Sequence, residues 1–228
     1  MPPLLDPALT LPAITAEIVQ ACRTASREAD PLPVHITAVS KKHSAEHILV
    51  ALAAGHRIFG ENRVQEAMGK WPDLKLRYPD CQIRLIGPLQ SNKASEAVGF
   101  FDAIETIDRP KIARIIADEI SKQGRSPELL IQINTGEEEQ KSGILPQQAD
   151  AFIDQCRTEY GLPIAGLMCI PPAGAVVAPH FMMVKTMAER HGLKSLSMGM
   201  SADYLDAVKL GATHVRIGSG IFGQRPES

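Results

Sequence analysis

The side chain best placed for chemistry is that of Lys41, because it ends an apolar, β-branched run over 34–40. Such a run is typical of a buried parallel strand, and α/β folds hold their functional groups at the carboxyl ends of these strands. An ammonium group that loses solvation there has a lowered pKa, which makes the amine a nucleophile toward aldehydes. Position alone leaves open the alternative that Lys41 only marks where the strand meets water.

Two segments rich in glycine and serine offer a second kind of chemistry, the binding of an anion. They cover 197–203 and 218–223 and follow the predicted seventh and eighth strands. In barrel folds the backbone N–H groups of these two loops often bind phosphate, and glycine lets the backbone come close to the anion. Ser201 is expected to cap the helix that follows the first loop. Each loop taken singly is also compatible with an ordinary connection.

A lysine that faces a phosphate-binding loop suits pyridoxal 5′-phosphate (PLP), which forms a Schiff base through its aldehyde. Arg216 lies near the end of the predicted eighth strand, where it could face the pyridine nitrogen of PLP. Because arginine keeps its proton, that nitrogen would stay unprotonated. A neutral pyridine is a weaker electron sink, which argues against transamination and similar carbanion chemistry. A surface salt bridge is the alternative role for Arg216.

The order of strand-like and helix-like segments predicts the scaffold that positions these residues. An amphipathic helix over about 11–28 precedes the first strand, Ser44 is expected to cap the next helix, and Pro72 is expected in a loop. The predicted strands cover 34–40, 57–60, 83–86, 102–106, 129–134, 164–170, 193–197 and 214–217. Eight strand–helix alternations predict an α/β fold, a single (β/α)8 TIM-type barrel domain spanning 1–228, with the barrel over about 34–223. An open doubly wound sheet is the alternative.

Composition argues against several other classes of function. The net charge is −2, with 24 basic and 26 acidic residues, so no global field attracts nucleic acid or an anionic membrane. The four cysteines lack metal-ligand spacing, which predicts free thiols, a reducing compartment and no metal site. No apolar run reaches the ~20 residues of a membrane span, and the amino terminus lacks the pattern of a signal peptide. We therefore expect a cytoplasmic protein that binds neither nucleic acid nor membrane.

Six segments of the chain are distinctive enough to indicate a family. They read Ala38-Val39-Ser40-Lys41, Phe59-Gly60-Glu61-Asn62-Arg63-Val64-Gln65-Glu66, Ile86-Gly87-Pro88-Leu89-Gln90-Ser91-Asn92-Lys93, Lys141-Ser142-Gly143, Leu196-Ser197-Met198-Gly199-Met200-Ser201 and Val215-Arg216-Ile217-Gly218-Ser219-Gly220-Ile221-Phe222-Gly223. In this order they resemble the motifs of the pyridoxal phosphate homeostasis protein family, and the resemblance extends over about 34–223. The family fold resembles the N-terminal barrel of alanine racemase and of fold-type III decarboxylases.

The resemblance implies a role for each candidate residue. Lys41 would form the Schiff base with PLP, and Arg216 would contact the pyridine nitrogen. The other residues that the resemblance assigns to PLP binding are Asn62, Met200 through its backbone, Ser201, Gly218 and Ser219. Met168 is expected either beside the ring or simply in the core.

The chain departs from the family pattern at two places. Lys42-His43-Ser44 stands where the family commonly has Thr-Lys-Pro, and Arg84 stands where a histidine often lies in the third strand. Side-chain alternation along a strand is expected to point Lys41 and Lys42 apart, so Lys41 remains the predicted attachment point. The roles of the residues at these departures stay open.

The resemblance implies PLP homeostasis, and no catalytic residue is predicted. Racemisation by two bases needs an acid–base group on each face of the cofactor, and alanine racemases take the second from a tyrosine of a separate β-rich domain. This chain ends soon after the predicted barrel, and Tyr78, Tyr160 and Tyr204 are predicted in a loop or on helices. We expect a monomeric carrier or reservoir of PLP that supplies PLP-dependent enzymes. A weak racemase or lyase of fold type III and a regulatory interaction protein are the alternatives.

Overall fold

Eight parallel strands close into a barrel in the computed structural model, which describes residues 5–27 and 33–224. The strands are β1 (His35–Val39), β2 (Ile58–Glu61), β3 (Gln82–Leu85), β4 (Ala103–Ile107), β5 (Glu128–Ile133), β6 (Ile164–Cys169), β7 (Ser195–Met200) and β8 (His214–Ile217). Each strand pairs with the next, and β8 returns to β1 with His35 opposite His214. This closure confirms the (β/α)8 barrel and excludes the open sheet.

Helices connect the strands on the outside of the barrel, and α1 precedes them. The helices are α1 (Pro7–Thr24), α2 (Ala45–Ala53), α3 (Val64–Arg77), α4 (Ala94–Phe100), α5 (Pro110–Gln123), α6 (Pro146–Thr158), α7 (Val177–Arg190), α8 (Tyr204–Lys209) and α9 (Ser219–Phe222), with a 3₁₀ turn over Ser91–Lys93. Within the described residues, no helix is both long and apolar enough to cross a bilayer.

Capping side chains explain where the first helices begin. The predicted cap Ser44 accepts the N–H of His47 at 3.4 Å, which confirms its role. Asp6 caps α1 by accepting the N–H of Ala8 at 2.9 Å, so that helix begins before the predicted residue 11. It ends at Thr24, whereas the predicted end, residue 28, lies outside the described residues.

Pro72 was expected in a loop, and this prediction is wrong because α3 continues through it to Arg77. A proline inside a helix removes a backbone hydrogen bond and disfavours the helix locally. Trp71 and Leu74 are both buried on the same helix, and the Trp71 ring lies 4.8 Å from that of Phe59 on β2. Burial of this apolar face offsets the cost of the proline.

The interior of the barrel carries charge. TIM-barrel interiors are dominated by bulky branched apolar side chains, yet Arg84, Glu105 and Arg216 are all buried on barrel strands here. A buried charge needs a partner or a metal to offset its lost solvation. The arrangement of these three side chains therefore bears on the site above them.

Candidate functional site

Four adjacent strands carry the predicted site residues. Lys41 follows β1 and Asn62 follows β2, while Ser201 follows β7 and Gly218 and Ser219 follow β8. Because β1 pairs with both β2 and β8, and β7 pairs with β8, these residues share one side of the barrel's carboxyl-end mouth. This is the end at which TIM barrels hold their active sites.

The predicted reason for preferring Lys41 over Lys42 is wrong in detail. The strand ends at Val39, so the two lysines lie in a turn and strand alternation does not orient them. Lys41 is half-buried, whereas Lys42 is exposed and has a φ of +64°. The backbone N–H of Lys42 donates to the carboxylate of Glu66 on α3. Burial thus distinguishes the two lysines, and it favours the same one.

A buried carboxylate lies beneath the turn that carries Lys41. We call Glu61, Ser40, Lys70 and Trp71 the Glu61 cluster. One carboxylate oxygen of Glu61, Oε1, accepts from Ser40 Oγ at 2.6 Å and from Trp71 Nε1 at 3.0 Å. The same oxygen lies 2.8 Å from Lys70 Nζ. Glu61 is therefore paired although it is fully buried.

The Glu61 cluster holds the main chain on both sides of Lys41. Lys70 Nζ donates to the carbonyl of Ser40 at 2.9 Å and to the carbonyl of His43 at 3.3 Å. These carbonyls flank Lys41 in the chain. An ammonium on α3, paired with a carboxylate on β2, thus fixes where the backbone of the predicted PLP attachment point lies.

Arg216 is buried on β8 with 4% of its surface exposed, which excludes the surface salt bridge considered for it. Its Nη1 donates to Ser197 Oγ at 2.7 Å and its Nη2 donates to the carbonyl of Cys169 at 2.8 Å. Both acceptors are neutral. A guanidinium has five N–H donors, so these two hydrogen bonds leave donors for a further partner.

A second buried carboxylate lies behind Arg216. We call Arg84, Glu105, Ser197 and Arg216 the Glu105 cluster. Ser197 Oγ donates to Glu105 Oε2 at 2.5 Å, and Arg84 Nε donates to Glu105 Oε1. Burial by itself would raise the pKa of the Glu105 carboxyl, but Arg84 and Arg216 oppose it and the pKa is lowered overall. Glu105 is thus an anion at neutral pH.

The end of β7 depends on one glycine. Gly199 has a φ of +90°, and a methyl group on it would lie 2.5 Å from the Cβ of Ala207 on α8. Other residues rarely adopt this backbone conformation. Glycine at this position therefore lets the end of β7 lie close against α8.

The role predicted for Ser201 as a helix cap is wrong. The residue at the N-cap position of α8 is Asp203, whose side chain accepts the N–H of Met200 at 2.5 Å. The hydroxyl of Ser201 instead lies 3.4 Å from that of Ser219, and both serines are exposed. The two predicted phosphate loops thus meet through their hydroxyl groups.

The remaining predicted residues take different positions. Asn62 is half-buried, and a methyl group on Gly87 would lie 2.3 Å from its carbonyl oxygen, so the two backbones pack closely. Met200 is 37% exposed, while Met168 is fully buried near the end of β6. Gly218 lies beside β1, since a methyl group on it would be 3.4 Å from Val39 Cβ.

Two cavities lie at the other end of the barrel. One of about 680 Å³ opens between α1 and the starts of β1 and β2. The other, of about 300 Å³, is lined by His35, Arg84, Glu128 and His214. Burial, helped by Arg84, lowers the pKa of His214 to about 4, so its imidazole is neutral at pH 7. The candidate residues lie instead at the carboxyl-end mouth, where TIM barrels hold their chemistry.

Sequence reasoning missed Glu61, Glu105, Ser197 and Lys70. Glu61 and Glu105 had a usable signal, since each is a carboxylate in a short and mainly apolar strand. Such a residue is almost never fully buried unless it is paired. The partners themselves carried no local signal, because Ser197 is 92 residues from Glu105 in the chain.

Comparison with known proteins gives consistent results. The family model described as alanine racemase, N-terminal domain, matches residues 11–226. The pyridoxal phosphate homeostasis protein of Vibrio cholerae is 38% identical over 225 residues, covering 94% of each chain. The structure of PipY from Synechococcus elongatus with PLP bound is 36% identical, with a TM-score of 0.76, and covers 90% of this chain and 100% of its own.

More distant structures share the fold alone. An alanine racemase from Clostridium difficile has a TM-score of 0.68 at 15% identity, and the match covers 93% of this chain but 58% of the racemase. The likeness supports the barrel architecture and carries no argument about racemase activity.

Proposed function

Since this chain belongs to the pyridoxal phosphate homeostasis protein family, we propose that it binds PLP at the barrel mouth and takes part in PLP homeostasis. The observation that carries the proposal is the placement of Lys41, Arg216 and the Ser201 and Ser219 hydroxyls on adjacent strands. The PLP bound in the PipY relative, at 36% identity, supports the same ligand here.

The residues present fit PLP. Ser201 and Ser219 offer exposed hydroxyls 3.4 Å apart for the phosphate, together with the backbone of Met200 and Gly218. Arg216 offers a buried cation bonded to neutral acceptors, which suits an unprotonated pyridine nitrogen. The half-buried Lys41 would supply the amine for a Schiff base, which is the chemistry that an aldehyde cofactor allows. Asn62 would line the pocket between them.

We also propose that the protein does not turn over amino acids at an appreciable rate. A racemase needs a second acid–base group, and the hydroxyl of Tyr204, which follows the β7 loop, is bonded to the carboxylate of Glu17 on α1. Burial, with Glu17, raises the pKa of Tyr204, so its basic form, the phenolate, is scarcely populated at neutral pH. The names of the relatives describe homeostasis, which supports a carrier or reservoir role.

The proposal extends to the oligomeric state, the compartment and the recipients of PLP. We propose that the protein acts as a monomer in the cytoplasm and that PLP-dependent enzymes receive its PLP. A Schiff base that is open to solvent can release its aldehyde to an acceptor, which supports a reservoir that releases PLP.

An absorption spectrum tests PLP binding directly. Protein purified with PLP should show a visible band that borohydride removes and that Lys41→Ala lacks. Lys42→Ala is the matched control, because it removes the adjacent, exposed lysine, and it should keep the band. A band that survives in Lys41→Ala would move the attachment to another lysine, and no band in the unaltered protein would remove the basis for the function.

Amino-acid turnover separates the carrier from the enzyme. The loaded protein should exchange the α-proton of alanine and other amino acids for deuterium only at trace rates. Sustained exchange that disappears in Lys41→Ala would instead establish a racemase or lyase.

A further inference from the structure

Arg216 donates to the hydroxyl of Ser197, and Glu105 orients that hydroxyl. A serine hydroxyl has one proton to donate and two lone pairs that accept. The proton of Ser197 goes to Glu105 Oε2 at 2.5 Å, which leaves a lone pair for Arg216 Nη1 at 2.7 Å. Because its proton points to the Glu105 carboxylate, the Ser197 hydroxyl turns a lone pair toward the guanidinium.

Glu105 is itself held by a cation on the neighbouring strand. Arg84 Nε donates to Glu105 Oε1, and Arg84 Nη1 donates to Glu128 Oε2 at 2.8 Å. Arg84 and Glu105 are 2% and 0% exposed, so solvent screens their attraction little. The contacts form one series from Arg84 through Glu105 and Ser197 to Arg216.

We propose that Glu105 is a positioning residue for Arg216 and acts through Ser197. Arg84 keeps Glu105 ionised and oriented. Ser197, which is oriented by its hydrogen bond to Glu105, in turn fixes the position of the Arg216 guanidinium below the proposed PLP site. The position where Arg84 departs from the family's histidine thus belongs to the support of the cofactor site. This inference rests on the proposed PLP binding.

Three variants and a matched control test the inference. Glu105→Gln removes the charge, Ser197→Ala removes the hydroxyl but keeps the Arg84–Glu105 pair, and Arg216→Met removes the guanidinium. Glu128→Gln is the control, because Glu128 also contacts Arg84 but does not contact Ser197 or Arg216. Folding of each variant is checked by circular dichroism and urea unfolding. Ser197→Ala keeps the test valid if Glu105→Gln does not fold.

The first readout is PLP itself. Glu105→Gln and Ser197→Ala should each bind PLP about tenfold more weakly, the effect of losing one hydrogen bond to a charged group. Their visible band should also change with pH in the same direction as in Arg216→Met, because a displaced guanidinium lets the pyridine nitrogen take up a proton. Glu128→Gln should bind PLP and titrate as the unaltered protein does.

The second readout needs no PLP. A crystal structure of unloaded Ser197→Ala should show the Arg216 guanidinium moved from its present position, whereas Glu128→Gln should retain it. If folded Glu105→Gln and Ser197→Ala bind PLP and titrate like Glu128→Gln, the inference is overturned while PLP binding stands. If the unaltered protein binds no PLP, the proposed function fails, and the unloaded structures still decide the positioning of Arg216.

Discussion

Two buried glutamates support the proposed site in different ways. The Glu61 cluster holds main chain, because Lys70 donates to the carbonyls of Ser40 and His43 on either side of Lys41. The Glu105 cluster holds a side chain, because its contacts end at the guanidinium of Arg216. Lys41, the proposed attachment point, is thus positioned through its backbone. Arg216, the proposed partner of the pyridine nitrogen, is positioned through hydrogen bonds to its side chain.

The two clusters also differ in how their charges are paired. Lys70 reaches Glu61 from a helix outside the barrel and is also 3.3 Å from Glu66, whereas Arg84 reaches Glu105 inside the barrel. Glu61 Oε2 has no hydrogen-bond partner among the described residues, and both oxygens of Glu105 have one. Of the two carboxylates, Glu105 therefore has the more complete set of hydrogen-bond partners. Removing its cation should cost more free energy of unfolding than removing that of Glu61.

The largest effect is expected for Arg84→Met. This change removes the guanidinium that is hydrogen-bonded to the fully buried Glu105, and breaking a buried ion pair costs about 3–5 kcal/mol. The pKa of Glu105 should then rise above its unfolded value, so the variant should lose further stability as pH increases through that range. Urea unfolding at pH 7 and pH 5 measures both effects, and a loss below about 1 kcal/mol would contradict the interior pairing.

Lys70→Met should cost somewhat less, about 3 kcal/mol, because the Lys70 side chain is 10% exposed whereas Arg84 is 2% exposed. The turn around Lys41 should also loosen, since two of its carbonyls lose a donor. Urea unfolding gives the stability, and amide hydrogen exchange of residues 41–46 reports the turn. Unchanged exchange there would mean that Lys70 does not hold the backbone.

A pH effect of intermediate size is expected from His214, which lines the smaller cavity together with Arg84. Burial and Arg84 lower the pKa of His214 to about 4 in the folded state, against about 6.5 when unfolded. The unfolded chain therefore binds the proton first, and stability is lost as pH falls from 6.5 toward 4.

His214→Gln should remove about 2 kcal/mol of the stability difference between pH 7 and pH 5. Glu105 adds little to the pH dependence of stability in this interval. Its pKa is lowered in the folded state, so its contribution to stability is lost only below its unfolded pKa of 4.5. Urea unfolding of both proteins at the two pH values gives the difference, and equal pH dependences would show that His214 does not titrate in this way.

The smallest effect is expected for an exposed pair. Arg57 and Asp80 are 2.7 Å apart, but their side chains are 33% and 64% exposed. Asp80→Asn should therefore change the free energy of unfolding by no more than about 0.5 kcal/mol, with PLP binding unaltered. A loss of unfolding free energy as large as that of Lys70→Met would show that burial does not decide how much an ion pair contributes to stability.

Most of the barrel could be predicted because local pattern and tertiary structure agree there. A short, β-branched apolar run such as the one before Lys41 is typical of a buried strand, and Ser44 caps its helix with a bond three residues away. The errors at Pro72 and Ser201 have a different origin. Contacts with distant residues, Phe59 and Ser219, accompany both departures from the local preference.

The sequence by itself determined the alternation of strands and helices, the lysine at the end of β1 and the two loops rich in glycine and serine. Only the tertiary structure decided how charge is paired inside the barrel. Closure of the sheet brings Glu105 of β4 within hydrogen-bond distance of Ser197 of β7, although β5 and β6 separate them. Residue order encodes neighbours along a strand, but contacts across a barrel interior exist only once all eight strands have closed.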